Sequence, residues 1–273
     1  MKADEAWSTS ELRSWSYPRC YPDESERRRQ LQGALPKEED VARERTQRAA
    51  SVGVAEHGSS AVLVTVAPGG ELLDRRRIEL IDRGLPTHPH HHEGSWAVGR
   101  YLNIPGARAL SLADVVALVE RVRASAASGA RESLEALAAA VPVPIAGIAL
   151  RACPTLPPTT EERIVDNRAQ TLADSVMYRE ALATAAEARG WSVLWYDRER
   201  VFRDAAAALG REDVEAFLSA MGRSIGPPWQ AKHKLAAAAA LAATGRPAPR
   251  PDNNQMQRTR SAPRPDRRRG PRR

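Results

Sequence analysis

The chain has 273 residues, 41 Lys+Arg against 34 Asp+Glu, and a formal net charge of +7. Residues 246–273 alone hold ten Arg and two Asp, which leaves 31 basic and 32 acidic residues in 1–245. The basic character therefore belongs to a C-terminal appendage and not to the body, which argues against a body built as a nucleic-acid surface.

Two cysteines, Cys20 and Cys153, stand far apart with no CxxC pair, which speaks against a disulfide framework or a thiolate zinc site and suits a reducing cytoplasm. The N-terminal MKADEAWSTSELR is polar and lacks the apolar core of a signal peptide. The longest apolar run, 137–150, is interrupted by Pro142 and Pro144 and is too short to span a bilayer. These features predict a soluble, cytoplasmic protein with no membrane partner.

Residues 1–50 carry balanced charge and few aliphatics, and read as a charged arm, partly disordered or helical. The organising stretch is Ser51 to Asp82. SVGVA predicts a strand ended by the Glu56-His57-Gly58 turn, and Ala61–Val66 a second strand rich in β-branched residues. Pro68-Gly69-Gly70 signals another turn, and Glu71–Asp82 a third, more polar strand. Spacers this short require antiparallel pairing, so the three strands form a meander.

A His-rich irregular segment follows over 83–110. Ser111 caps a helix striped by Leu112, Val115, Val116, Val119 and Val122, and Arg131–Val141 reads as a second helix closed by Pro142. Val143–Ala152 is a strand apolar enough to be covered on both faces. A Pro-rich loop over 154–158 precedes a helix over 169–189, and Trp191–Tyr196 is the fifth strand. Helices are predicted over 198–209, 212–221 and 229–243, the last very Ala-rich. The chain thus divides into the arm 1–50, one α/β domain over 51–245, and a Pro/Arg-rich tail over 246–273 predicted to be disordered.

The element order resembles the ribonuclease H-like fold, particularly its Holliday-junction-resolvase branch, across about 51–243. The residues that carry the resemblance are Gly53-Val54-Ala55-Glu56-His57-Gly58, the apolar strand after them, and the Gly69-Gly70-Glu71-Leu72-Leu73 turn into the third strand. The resemblance implies an α/β fold with a mixed five-stranded sheet: an antiparallel β1-β2-β3 meander, then helix-flanked β4 and β5, with helices on both faces. The chain is also similar to a family of uncharacterised bacterial proteins.

The resemblance further implies carboxylates converging on two Mg²⁺ ions. Here only Glu56-x-Gly58 stands for the first-strand Asp-x-Gly. The fourth strand runs out as Leu150-Arg151-Ala152-Cys153 without an acid, and the last helix opens with Gln230-Ala231-Lys232-His233-Lys234, whose lysines repel a divalent cation. The implied active site is degenerate.

Other chemistry can be placed by residue. In extended backbone His88, His90 and His92 share a face and can bind a divalent metal such as Zn²⁺, with Glu93 or His57 completing the shell; Mg²⁺ or Mn²⁺ are the alternatives at an acidic centre. The bland reading is a solvated loop. Glu56 with His57 pairs a carboxylate and an imidazole suited to acid–base work, or forms a polar turn. Arg75 and Arg77 alternate with Arg76 and suit a charge-decorated edge strand better than one phosphate patch. Lys232 and Lys234 in a helix's first turn hint at an anion, and Arg267, Arg268 and Arg269 can hold nucleic acid through the tail. There is no GxxxxGK[ST], GxGxxG, GxSxG or HExxH.

The leading reading is therefore a degenerate ribonuclease H-like binding or assembly module. Its rival is a metal-dependent phosphodiesterase or nuclease using Glu56, His57 and the His88–His92 loop. A third reading is a nucleic-acid-binding accessory protein working through the Arg-rich tail.

Overall fold

Gly58 and Gly70 both hold positive φ (57° and 85°) and close the two turns of the meander. The strands they join are β1 (Ala50–His57), β2 (Ser60–Val66) and β3 (Leu72–Glu79). β1 pairs antiparallel with β2 from Ser51↔Val66 to His57↔Ser60, and β2 pairs antiparallel with β3, with a register shift at Thr65/Val66. In this computed structural model the described residues are 49–103, 105 and 109–244. The sequence readings of the arm and of the tail, Arg267, Arg268 and Arg269 included, lie outside them.

A π-helical turn, Pro89–Glu93, runs into the short helix α1 (Gly94–Ala97). The helix α2 (Leu112–Ala140) is continuous where two helices were expected. Its buried stripe runs Val115, Val119, Val122, Ala126, Ala130, Leu134 and Leu137, an unbroken helical period. Gly129 allows close contact with β3's end: a Cβ there would sit 2.4 Å from the Leu80 carbonyl oxygen. Ser111 caps α2 by accepting the Asp114 N–H.

β4 (Ile145–Arg151) then lies parallel to β1, with Val52↔Ile148 and Gly53↔Ala149. The helices α3 (Thr160–Val165) and α4 (Asn167–Ala188) cross over to β5 (Ser192–Tyr196), which lies parallel to β4. Thr159 and Glu162 form a capping box on α3, a helix not foreseen from the Pro-rich loop before it. The final helices are α5 (Val201–Leu209), α6 (Val214–Ile225) and α7 (Ala231–Thr244). The sheet order is β3-β2-β1-β4-β5, with β1 at the centre.

Alternation along the strands divides the core into two layers. Val52, Val54, Leu63, Ile78, Ile148 and Leu150 pack with α2 and α4 residues such as Val122, Leu134 and Leu182. Ala55, Val64, Val66, Ala149 and Tyr196 pack with α5, α6 and α7. Alanines 236–240 of α7 are fully buried, because Gly53 lets that helix lie directly on the sheet. A Cβ at Gly53 would stand 1.9 Å from the Ala236 carbonyl oxygen. No described helix is long and apolar enough to cross a membrane.

Candidate functional site

Glu56 is the last largely buried side chain of β1. Alternation puts it on the same face as Val52 and Val54, toward α4, while His57 faces away and is exposed. Arg179 of α4 donates to Glu56 Oε1 from Nε at 2.8 Å and lies 2.5 Å from it through Nη2. The Arg179 Nη1 donates to the Ala152 carbonyl at 3.2 Å, just past the end of β4. The two side chains are 9 % and 6 % exposed, so Glu56 forms a buried, guanidinium-neutralised pair. Glu56 and His57 therefore share a turn but not a face, which removes the premise of a Glu56–His57 acid–base couple.

The Tyr196 hydroxyl donates to the Val54 carbonyl at 2.8 Å and is held above the ordinary phenol range, first by burial and then by the Glu56 charge. Arg151 and Arg198 also lie within electrostatic reach of it. Beside them the carboxyl ends of β4 and β5 frame an open depression of about 560 Å³ lined by Arg151, Asp197, Arg198 and Glu199.

Lys232, in the first turn of α7, is half-buried at the same rim. Burial lowers its pKa, the Arg77 charge lowers it further, and Glu56 opposes them. Lys234 instead reaches α6, donating to Ser219 Oγ at 3.1 Å. The two lysines are not brought together, since helical residues two apart face different neighbours. Nor do the three arginines of β3 gather: Arg75 donates to the Gly226 and Pro228 carbonyls, Arg76 pairs with Asp74, and Arg77 with Glu79. Trp229 is a packing anchor, with Gly222 making room for its indole and His233 stacked on it at 5.7 Å.

The His-rich segment is helical, not extended, which changes which imidazoles share a face. His90 is fully buried, with Nδ1 2.8 Å from Asp174 Oδ1. The backbone N–H groups of His90 and His91 donate to the same carboxylate at 3.0 and 3.2 Å. Asp174 thus accepts three bonds and orients His90 with Nδ1–H toward it, leaving Nε2 buried without a partner. His88 and His92 are instead one turn apart, with ring centroids at 5.3 Å. The expected set of His88, His90 and His92 with Glu93 is thereby broken up. Among the described residues no three His, Cys, Asp or Glu side chains are arranged to hold a metal ion.

Sequence reasoning missed the support for this turn. Gln170, Asp174 and Tyr178 recur every four residues along α4. Gln170 Oε1 accepts from Ser95 Oγ, Asp174 holds His90 and His91, and the Tyr178 hydroxyl donates to the Thr87 carbonyl at 2.8 Å. The signal was available, since three buried polar residues at helical spacing require partners. Glu93 lies beside them, its carboxyl pushed up mainly by burial. Burial likewise lowers the His88 pKa, against the pull of Asp174.

A two-Mg²⁺ centre requires several carboxylates in one place. Glu56 is neutralised by Arg179, Asp174 is bound to His90, β4 ends in Arg151, and α7 brings Lys232 to the rim. These residues do not fit such a centre.

No family model matches the chain, and no curated protein matches it. Solved structures similar to it include Thermus thermophilus RuvC in complex with a Holliday junction substrate, at 12 % identity and TM-score 0.36, covering 72 % of this chain and 94 % of that one. A second Thermus thermophilus RuvC structure matches at 14 % identity and TM-score 0.37, covering 72 % and 93 %. By its own β3-β2-β1-β4-β5 order, with an antiparallel meander, two parallel strands and helices on both faces, the chain has the ribonuclease H-like α/β fold.

Proposed function

We propose that the chain is a non-catalytic ribonuclease H-like module that serves binding or assembly. The observation that carries this reading is the buried Glu56–Arg179 pair at the end of β1. A carboxylate there is the first requirement of the fold's metal chemistry, and here its charge is matched by a guanidinium holding it from within the protein. Recruiting Glu56 to a metal would strand Arg179 as a buried, unpaired cation, which costs several kcal/mol, about 3–5 by analogy with other broken buried pairs. Lys232, near enough to feel Glu56, adds further positive charge at that end of the sheet.

The hydrolase reading needs Glu56, His57 and the His88–His92 loop to act together. Glu56 faces α4, where Arg179 holds it, and His57 faces outward, so the two side chains point to opposite sides of the strand. The polar depression at the ends of β4 and β5 gives a binding role a concave surface without requiring chemistry.

The test compares wild-type protein with Glu56→Gln, both without an affinity tag, for Mg²⁺- or Mn²⁺-stimulated cleavage of branched and single-stranded DNA. Wild type should cleave no faster than the variant under either metal. Cleavage by wild type that Glu56→Gln abolishes would overturn the proposal.

A further inference from the structure

We propose that His88 and His92 form a two-imidazole site for a borderline divalent transition-metal ion such as Ni²⁺, Cu²⁺ or Zn²⁺. The His92 N–H donates to the His88 carbonyl at 2.9 Å, an i to i−4 bond that sets the two side chains on one side of the turn. Their ring centroids are 5.3 Å apart with planes at 46°. Two imidazoles on one tetrahedral ion, each nitrogen about 2.0–2.1 Å from the metal, have centroids about 5 Å apart. The observed separation falls in that range, as does the 5.1 Å between His91 and His92, and the one-turn spacing singles out His88 and His92.

Three further observations support the site. Among the described residues neither ring makes a hydrogen bond, so their nitrogens are available. His92 is exposed and His88 half-buried, which leaves the pair open to solvent. The turn carrying them is pinned to α4 by the three bonds to Asp174, so the metal meets a preorganised pair and not a mobile loop.

No third side chain completes the shell. Water or a small anion fills the other positions, and the ion exchanges freely. Nitrogen donors of this kind rank metals Co²⁺ below Ni²⁺ below Cu²⁺, with Zn²⁺ also below Cu²⁺, and have little hold on Mg²⁺. The site differs in donors and in metal from the carboxylate centre of the fold, and it stands whether or not the chain is catalytic.

Calorimetric titration of tag-free protein with each metal alone tests the proposal. Ni²⁺ should bind saturably at about one equivalent, Cu²⁺ more tightly, and Mg²⁺ not at all. His88→Ala and His92→Ala should each weaken Ni²⁺ binding by about tenfold or more, since losing a ligand costs at least what losing its support does. His57→Ala, which removes a neighbouring side chain within electrostatic reach of His88, should weaken binding by less than either of those variants. Thermal melts of each variant establish that it is folded. Absence of saturable Ni²⁺ binding, unchanged binding in folded His88→Ala and His92→Ala, or an equal loss in His57→Ala would each overturn the assignment.

Discussion

At the level of single residues, the decisive feature is how a strand-end carboxylate is satisfied. Glu56 is legible in the sequence as an acid closing β1, but its partner is 123 positions away on a helix, and no local spacing links them. Arg179 lies in a helix whose apolar residues are mostly alanine, so its inward direction was not evident from patterning. The geometry makes a stability prediction that separates a structural pair from a catalytic one. Arg179→Met should destabilise the protein by about 3–5 kcal/mol, because it leaves the Glu56 carboxylate buried alone. The double variant Glu56→Leu/Arg179→Met should recover most of that loss, since apolar replacement of a whole buried pair is often neutral. Chemical denaturation of the two variants beside wild type reads this directly. A double variant as unstable as the single one would show that Arg179 matters through the Ala152 carbonyl and not through Glu56.

Among the elements, the strands and the long helices were legible and the His-rich turn was not. Strands announce themselves by β-branched runs between glycine turns, and every strand of the sheet was foreseen within a few residues. The 88–93 segment, polar and Pro-flanked, reads as extended in the sequence. Yet Pro89 sits at the first helical position, where its missing N–H and fixed φ favour a helix start. At Gly129, inside α2, close packing against Leu80 explains the lack of a side chain.

The start of α7 carries a pH-dependent contact of the same hidden kind. The Gln230 N–H donates to His233 Nδ1 at 3.1 Å, which requires that nitrogen unprotonated. Burial, then the Arg75 charge, lowers the His233 pKa from its usual 6.5. The folded state therefore binds fewer protons than the unfolded chain, and this contribution to stability, complete above pH 6.5, is lost as pH falls through the lowered value. His233→Asn, which retains a side-chain acceptor, should flatten the stability profile below pH 6.5 relative to wild type. Parallel profiles for the two proteins would exclude His233 as the source of the slope.

For the whole molecule, topology was the most legible property because it follows from turn lengths and crossover lengths. Spacers of two (58–59) and five (67–71) residues force antiparallel neighbours, and helix-length spacers permit parallel ones. What the body binds was less legible, since its charges balance at 31 basic to 32 acidic over 1–245. A body without net charge has little long-range field with which to hold a polyanion, whereas 246–273 carries a net +8. Nucleic-acid affinity of the full chain is therefore expected to be sequence-independent and to reside in that tail. Each phosphate neutralised contributes about −0.9 to the slope of log affinity against log salt, so the full chain should show a steep slope bounded by about eight contacts. Ending the chain before Arg246 should lower affinity for duplex DNA by about tenfold or more at low salt and bring the slope close to zero. Fluorescence anisotropy across a salt series, on the full and shortened chains, measures both quantities. Should the shortened chain keep its affinity and slope, the interface would have to lie on the folded body, and the cationic rim of Arg151, Arg198 and Lys232 would be the first place to substitute.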